Sequence, residues 1–195
     1  MTTKLNTFQR VRELKGWHAV AFAATLIQRM QPNFQLFCET TEFDDEGQFN
    51  KSLASVWQWL TPNSGKINFA AQLDKLEQVT PDASEYQTYG VYPAIDASIS
   101  LASTIALIMQ DEPQGAVITS KLSQGCVEAF VELVNEDELD AQQIKAHPLM
   151  VWEVEFQSEL LDLLVKMKAS AHSVKELKTL ATAEGVSNIG IETGE

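Results

Sequence analysis

Apolar residues recur every three or four positions along most of the chain, and this period constrains the fold more than any other feature. From Leu5 to Leu14 they recur at every third position, and from Asn68 to Val79 they form the stripe of an amphipathic helix. No segment combines alternating apolar and polar residues with the flanking turns of a β-hairpin. The sequence therefore predicts an all-α protein with about eight or nine helices.

Capping and helix-breaking residues predict where several helices begin and end. Pro32 follows a nearly all-apolar segment and suits the first turn of a separate short helix, because proline has no N–H to leave unpaired. Asp44 or Asp45 is expected to cap the following helix, and Ser173 is expected to cap the last one. Gly185 stands where a left-handed C-terminal cap belongs.

The segment that starts at Pro93 combines isoleucine with many alanine and serine residues. Small side chains let neighbouring helices approach toward the short end of the usual separation of about 8–10 Å, so this segment is predicted to be the central helix. We predict a compact multi-helix bundle around it, with residues 1–185 as a single all-helical domain and residues 186–195 as an extended C-terminal tail. A chain of 195 residues buries roughly 70% of its unfolded surface, which is enough for such a core.

The net charge of −13 is distributed unevenly along the chain. Residues 1–30 carry five basic side chains and one acidic one, whereas residues 126–162 carry ten acidic side chains and one lysine. An acidic protein repels phosphates, which argues against direct binding of nucleic acid. The acidic segment is most simply a solvated surface that aids solubility. Alternatively it binds a basic partner, such as the first helix of a second copy, or mimics DNA toward a basic nucleoid protein.

The sequence favours a cytoplasmic protein that is not embedded in a membrane. Residues 1–10 lack the apolar stretch of a secretion signal. The most apolar run, residues 95–109, has 15 residues including four serines or threonines, which is too short and too polar for a membrane span. Cys38 and Cys126 are the only cysteines, and we expect both to be reduced and buried.

Motifs for metal, phosphate and nucleophilic chemistry are missing from the sequence. His18, His147 and His172 are scattered, and there is no C-x-x-C, H-E-x-x-H or E-x-x-H motif. The string SGKI, from Ser64 to Ile67, lacks both the upstream glycine and the final hydroxyl residue of a phosphate-binding loop. We therefore expect no metal and no cofactor, and enzymatic activity is not favoured.

All three tyrosines lie in one stretch, YQTYGVYPAID, which runs from Tyr86 to Asp96. Pro93 predicts a helix start, and a residue before proline disfavours helical geometry, so Tyr92 is expected to be extended. Asp96 then lies near the first turn, where the helix dipole favours a carboxylate. Two interpretations stay open, the entrance of a packed helix and a ligand pocket. The candidate pocket residues are Tyr86, Tyr89, Tyr92, Asp96 and His18.

Three strings carry a resemblance to a known family: WHAVAFAA from Trp17, YGVYPAIDA from Tyr89 and SNIGI from Ser187. In this order, and over nearly the whole chain, they resemble the YjaG family of bacterial proteins. The resemblance implies an all-helical cytoplasmic bacterial protein. It implies no activity, cofactor or catalytic residue, so no role is carried over to the residues of this chain.

The sequence supports two classes of function. The leading hypothesis is a non-enzymatic binding or protein-interaction module that self-associates as a homodimer or larger homo-oligomer, because catalytic motifs are missing and the charge is strongly polarised. In the alternative, the protein binds a small ligand, or is an enzyme, with its site near the stretch from Tyr86 to Asp96. The position of the tyrosine hydroxyls, in a cavity or against packed helices, decides between the two.

Overall fold

The computed structural model describes residues 6–193, which form nine α-helices and one short 3-10 turn and contain no β-strand. The predicted all-α fold is confirmed. Leu5, the first apolar residue of the repeat that predicts the first helix, and the last two residues of the predicted tail lie outside the described residues. The helices are α1 (Thr7–Glu13), α2 (Trp17–Thr41), α3 (Gln48–Leu60), α4 (Phe69–Gln78), α5 (Val91–Met109), α6 (Gly115–Val134), α7 (Ala141–Ala146), α8 (Pro148–Lys166) and α9 (Ala171–Thr182).

Helix α5 is the centre of the bundle, where it packs against α2, α4 and α6. Its small residues Ala94 and Ala97 are fully buried. Where α5 crosses α6, Gly115 lets the two backbones touch, since a Cβ at this position would lie 2.3 Å from the carbonyl oxygen of Ser103. The predicted bundle around a central helix rich in small residues is therefore confirmed.

Within the described part of the chain, α5 is the one helix whose length and apolar composition match those of a membrane span. Half of the matching window is buried inside the protein, as expected for the core helix of a bundle. Two of its polar side chains bond to its own backbone: the Ser98 hydroxyl donates to the Ala94 carbonyl at 2.9 Å, and the Thr104 hydroxyl donates to the Ser100 carbonyl at 2.8 Å. These features fit the core helix of a bundle, with part of its surface left open.

Helix α2 runs for 25 residues without a break, so the separate short helix predicted from Pro32 is wrong. Proline inside a helix removes one backbone hydrogen bond and costs about 3 kcal/mol. The residues around it are buried, and Met30, Phe34 and Phe37 expose 3% or less of their surface. Burying each such side chain contributes about 1.5–3 kcal/mol, so the packing of one continuous helix outweighs the cost of the proline.

Helix α5 begins at Val91, so Tyr92 is helical and its predicted extended conformation is wrong. The backbone N–H of Tyr92 donates to the carbonyl oxygen of Tyr89 at 3.0 Å. Pro93 is the third residue of the helix, where the first four N–H groups have no intrahelical acceptor, so its missing N–H costs nothing. Asp96 lies beyond the first turn, and the helix dipole therefore acts on it only weakly.

The predicted helix caps agree only in part with the structure. Ser170 caps α9 in place of Ser173, and its Oγ accepts from the Ser173 N–H at 3.0 Å. The prediction is wrong by one turn because Ser173 is itself buried inside the first turn. The N-cap residue of α3 is Gly47, but the Asp45 carboxylate accepts from the Phe49 N–H at 2.8 Å, so Asp45 satisfies a free N–H of the first turn as a cap would. Gly185 is left-handed as predicted, with a φ of +67°.

Residues 186–193, predicted as part of an extended tail, fold back and form what we call the 186–193 turn. An antiparallel bridge between Val186 and Glu192 closes it. Ser187 and Asn188 are fully buried. The chain turns here because the Asn188 amide finds hydrogen-bond partners inside the bundle, which a buried amide requires. The division of the chain into one domain and a tail stays a prediction.

Candidate functional site

A buried ion pair between Arg29 of α2 and Glu153 of α8 lies at the centre of a polar network in the core. Both side chains are buried, with 2% and 0% of their surface exposed. The Arg29 guanidinium lies 4.1 Å from the ring centre of Trp152 and 4.2 Å from that of Phe156. The two aromatic faces contribute cation–π attraction to the guanidinium, whose Nη2 has no hydrogen-bond partner among residues 6–193.

The second oxygen of Glu153 is also occupied. It accepts from the Ser123 hydroxyl at 2.5 Å and from Gln157 Nε2 at 2.7 Å. The Gln157 carbonyl in turn accepts from the Ser120 hydroxyl at 2.6 Å. Three donors inside the core therefore bond to the two oxygens of this carboxylate. Its role is structural, because a general base must be within reach of a substrate.

The network continues through Ser123 to the 186–193 turn and then to α2. Asn188 Nδ2 donates to the Ser123 carbonyl at 3.2 Å, and Asn33 Nδ2 donates to Asn188 Oδ1 at 2.9 Å. A carbonyl only accepts, so the Asn188 nitrogen must face Ser123 and its oxygen must face Asn33. The Asn33 nitrogen must then face Asn188. Of the four polar atoms in the two amides, only Asn33 Oδ1 is then left without a hydrogen bond. It is buried and has no partner among the described residues.

Asn33 lies in the wall of a cavity of about 280 Å³, which we call the Asn33–Tyr89 cavity. The Tyr89 hydroxyl is the second polar group of this wall that is buried without a partner among residues 6–193. Most of the wall is apolar, and it is formed by α2, the start of α5, α6 and the 186–193 turn. The lining residues are Asn33, Leu36, Phe37, Thr40, Thr88, Tyr89, Gly90, Pro93, Phe130, Ile189 and Ile191.

The electrostatic surroundings of this cavity are negative. Burial raises the pKa of Tyr89 to about 12, with smaller contributions from Cys126, Asp96 and Glu132. Burial also raises the pKa of Asp96 to about 6. Among the described residues that line the cavity, none is basic. At neutral pH the Tyr89 phenol is therefore protonated, so it serves as a hydrogen-bonding group and not as a base.

The tyrosine stretch has three different environments. Tyr86 packs edge-on against Phe37, with ring centres 4.9 Å apart, which is the packing role of a helix entrance. Tyr89 lines the cavity. Tyr92 is 54% exposed, and its ring centre lies 6.0 Å from that of Tyr89. Asp96 is half-buried and acts on Tyr89 through its charge.

His18 does not join this group of residues. Its Nε2 lies 2.9 Å from the Met167 carbonyl oxygen, and its ring packs edge-on against Trp17. Tyr86 contacts Phe37, which follows His18 by 37 − 18 = 19 residues on the same helix. At a rise of 1.5 Å per residue, Phe37 lies about 28 Å from His18 along the axis of α2. A binding role for the tyrosines, Asp96 and His18 stays a prediction, and His18 lies at the opposite end of α2.

A larger groove of about 740 Å³ lies between α1, α6, α7 and α8. The charged side chains of its wall, such as Lys121 and Glu155, are exposed to solvent. In the described chain, no buried polar atom without a partner lies in this wall. The groove therefore has more space than the Asn33–Tyr89 cavity, but its described residues include no buried unpaired polar atom that a ligand would satisfy.

Metal and thiol chemistry find no support in residues 6–193. No group of three or more histidine, cysteine, aspartate or glutamate side chains lies close enough together to hold a metal ion. His147 caps α8, where its Nδ1 accepts from the Leu149 N–H at 3.2 Å. Burial, followed by Asp45, raises the pKa of Cys38 to about 12, and burial raises the pKa of Cys126 further. Neither thiol is an activated nucleophile.

Sequence reasoning missed the groups that form the network and the cavity. Glu153 belongs to the acidic segment that was expected to be solvated, but it is fully buried. Arg29 and Asn33 carry a usable signal, because they lie four residues apart in a helix rich in apolar residues and so share one face. A charged and an amide side chain on such a face require buried partners.

The fold and these sites define an all-helical bundle with a buried polar network and a small cavity. A family model described as a protein of unknown function, DUF416, matches residues 6–192. The chain belongs to this family, and the resemblance to the YjaG proteins is confirmed.

Three similar proteins illustrate the relationship. An uncharacterized protein of Haemophilus influenzae is 35% identical over 187 residues, which cover 94% of this chain and 95% of that protein. The uncharacterized protein YjaG of Escherichia coli K12 is 35% identical over 185 residues, which cover 93% and 94%. The crystal structure of a DUF416 family protein from Shewanella baltica at 1.91 Å resolution has a TM-score of 0.89 and 35% identity, and the match covers 97% of this chain and all of that one. The Shewanella protein shares the fold, and the names of all three proteins state no activity.

Proposed function

We propose that this protein is a non-enzymatic small-molecule-binding protein whose site is the Asn33–Tyr89 cavity. The observation that carries the proposal is the Asn33 side-chain oxygen, which is buried in the cavity wall without a partner among the described residues. Leaving such a group unpaired costs about 1–3 kcal/mol. A bound molecule that donates to this oxygen removes the cost, and Tyr89 offers it a second polar contact.

The same cavity argues for binding rather than catalysis. The phenol of Tyr89 is protonated at neutral pH, because burial raises its pKa to about 12. Glu153 is occupied by three donors, and Cys126 is a buried thiol with a raised pKa. A general base or nucleophile needs a group that is ionised or readily ionised at working pH, and the cavity wall offers none among the described residues.

Self-association through the basic first helix is less well supported than ligand binding. Arg10 of α1 pairs with Asp162 of α8 in the same chain and also donates to Ser158 at 3.0 Å. One cation of this helix therefore already meets the acidic segment without a second copy. A homo-oligomer, a protein partner and a DNA-mimic role stay predictions, which sedimentation at low and high salt tests. We also propose a cytoplasmic location, which the free thiols Cys38 and Cys126 support.

The binding proposal is tested by screening a set of small uncharged fragments by NMR, with the backbone amides of the cavity wall as reporters. We expect shift changes confined to residues around Phe130 and Ile189. The variant Thr40→Phe places a ring at the cavity wall and is expected to abolish them. Thr179→Phe is the matched control, because both threonines are exposed, helical and bonded to the carbonyl four residues before. If no fragment binds, or if Thr40→Phe binds as well as the control, the proposal is wrong.

A further inference from the structure

We infer that the ligand is an alcohol or an amine with an apolar body: it ends in a hydrogen-bond donor and carries no negative charge. This inference rests on the proposed function and specifies the chemistry of the molecule that occupies the Asn33–Tyr89 cavity. Three independent features of the wall lead to it, namely the orientation of one amide, the distribution of charge and the size and aromatic character of the space.

The need for a donor follows from the orientation of Asn33. Its nitrogen donates to Asn188 Oδ1 at 2.9 Å, and the Ser123 carbonyl fixes the Asn188 amide through a contact of 3.2 Å. Asn33 therefore cannot turn its nitrogen toward the cavity without placing two carbonyl oxygens against each other. The atom that stays unpaired, Oδ1, only accepts, so a ligand that reaches it must donate. A ligand whose polar end is itself only an acceptor leaves this oxygen unpaired.

The Tyr89 hydroxyl is compatible with either an alcohol or an amine. A phenol both donates and accepts, so it can donate a hydrogen bond to an alcohol oxygen or accept one from an ammonium group. Its side chain is part of an aromatic wall, and its ring centre lies 6.4 Å from that of Phe130. Aromatic faces attract cations, which keeps the amine within the inferred class.

Charge excludes an anionic ligand. No basic side chain is among the described residues that line the cavity, whereas Asp96 and Glu132 lie close enough to Tyr89 to affect it electrostatically. Arg29 lies one helical turn before Asn33, but its guanidinium is paired with Glu153 and held between two aromatic rings. A carboxylate or phosphate in the cavity would lose its hydration without gaining a cation, which is strongly unfavourable.

The size of the cavity sets the size of the ligand. A volume of 280 Å³ equals the share of about nine liquid water molecules, and so suits a molecule of about nine or ten non-hydrogen atoms. Phe37 and Phe130 contribute rings to the wall, and Ile189 contributes an aliphatic side chain. A benzene ring with a two-carbon arm and one terminal polar group matches both the volume and the wall.

The experiment compares four probes that share this ring and differ at the end of the arm: 2-phenylethanol, 2-phenylethylamine, phenylacetate and propylbenzene. Each is titrated into the full chain at pH 7, and binding is followed by NMR at the cavity amides. We expect the alcohol or the amine to bind about tenfold more tightly than both phenylacetate and propylbenzene, because only they donate to Asn33. The better of the two identifies which donor the site prefers.

Variants of the tyrosines separate a hydrogen bond from general packing. Tyr89→Phe removes one buried hydroxyl, so we expect it to weaken the preferred donor probe about fivefold and to leave propylbenzene unchanged. Tyr92→Phe is the control, because Tyr92 lies in the same stretch but is exposed, and it should change neither affinity. Equal loss for the donor probe and propylbenzene would show that the hydroxyl makes no specific bond.

The outcomes distinguish the two proposals. If phenylacetate binds as tightly as the donors, or if all four probes bind equally, the ligand class is wrong while the binding cavity stands. The class is also wrong if uncharged fragments of other chemistry bind in the cavity and the four probes do not. If no molecule of either set shifts the cavity amides, both the class and the proposed function fail.

Discussion

Replacing Glu153 with glutamine tests the buried ion pair, because it removes one charge from the core and keeps the shape of the side chain. The carboxylate accepts from Arg29, from Ser123 and from Gln157. A glutamine has one carbonyl oxygen and one NH₂ group, so its NH₂ must face at least one of these donors. The variant therefore leaves a buried guanidinium without its counter-ion and adds a contact between two donors.

The expected loss of stability follows from the burial of both partners. With 2% and 0% of their side-chain surface exposed, solvent cannot compensate for the unpaired guanidinium of Arg29. Breaking a buried pair by removing one partner costs about 3–5 kcal/mol. A domain is stable by only about 5–15 kcal/mol, so Glu153→Gln removes at least about a fifth of the folding free energy. With an m-value of about 2 kcal/mol/M, the urea midpoint falls by about 2 M.

Urea unfolding followed by tryptophan fluorescence measures this change, since the ring of Trp152 lies 4.1 Å from the Arg29 guanidinium. Glu155→Gln is the control: it neutralises an exposed carboxylate on the same helix, and its effect should stay within about 0.5 kcal/mol. The double variant Arg29→Met with Glu153→Gln removes both charges and should be less destabilised than the single variant. A loss below about 1 kcal/mol for Glu153→Gln would refute the reasoning, because the pair would then not be desolvated.

Three further predictions concern a carboxyl, a glycine and the thiols. The Asp96 pKa is raised to about 6 in the folded chain, so the folded state binds more protons and stability falls as pH rises from about 4 to 6. Asp96→Asn should therefore stabilise the protein by about 1–2 kcal/mol at pH 7, allowing for its exposed fraction, and by almost nothing at pH 4 in urea titrations. Gly115→Ala should destabilise it by about 1–3 kcal/mol, because the new Cβ meets backbone at 2.3 Å. Gly125→Ala, whose Cβ meets nothing within 4 Å in the described chain, should be neutral or stabilising by up to about 1 kcal/mol; equal effects in thermal melts would count against this packing. Cys38 and Cys126 should react with iodoacetamide at pH 8 far more slowly in the folded protein than in guanidinium, and rapid labelling of the folded protein would contradict their raised pKa values.

The sequence predicts the helices where local chemistry decides their position. The stripe between Asn68 and Val79 becomes α4 within one residue at each end, and Gly185 has the left-handed conformation its position suggests. These features depend on residues that are neighbours along the chain. Pro32 and Tyr92 depend on tertiary packing instead, because burial of the surrounding aromatic and aliphatic residues outweighs a local preference of a few kcal/mol.

The candidate site was accessible to sequence reasoning only in part. The cluster of tyrosines drew attention to Tyr89, which does line the cavity. Asn33 and Phe130 could not be predicted as its neighbours, because they come from two other helices far apart in sequence. Glu153 lies among exposed acids in the sequence, but it shares the buried face of α8 with Met150 and Leu160, and Arg29 of α2 supplies its counter-ion there.

The contact between α2 and the 186–193 turn determines how long the fold stays incomplete while the chain is being synthesised. Asn33 depends on Asn188 for its hydrogen bond, and 155 residues separate the two along the chain. Ribosomes add about 5–20 residues per second, so roughly 8–30 seconds pass between the synthesis of Asn33 and that of its partner. During this interval the 186–193 turn does not yet pack against the Asn33 side chain and the apolar residues beside it. This part of α2 therefore stays without its final contacts for many seconds while most of the chain is synthesised.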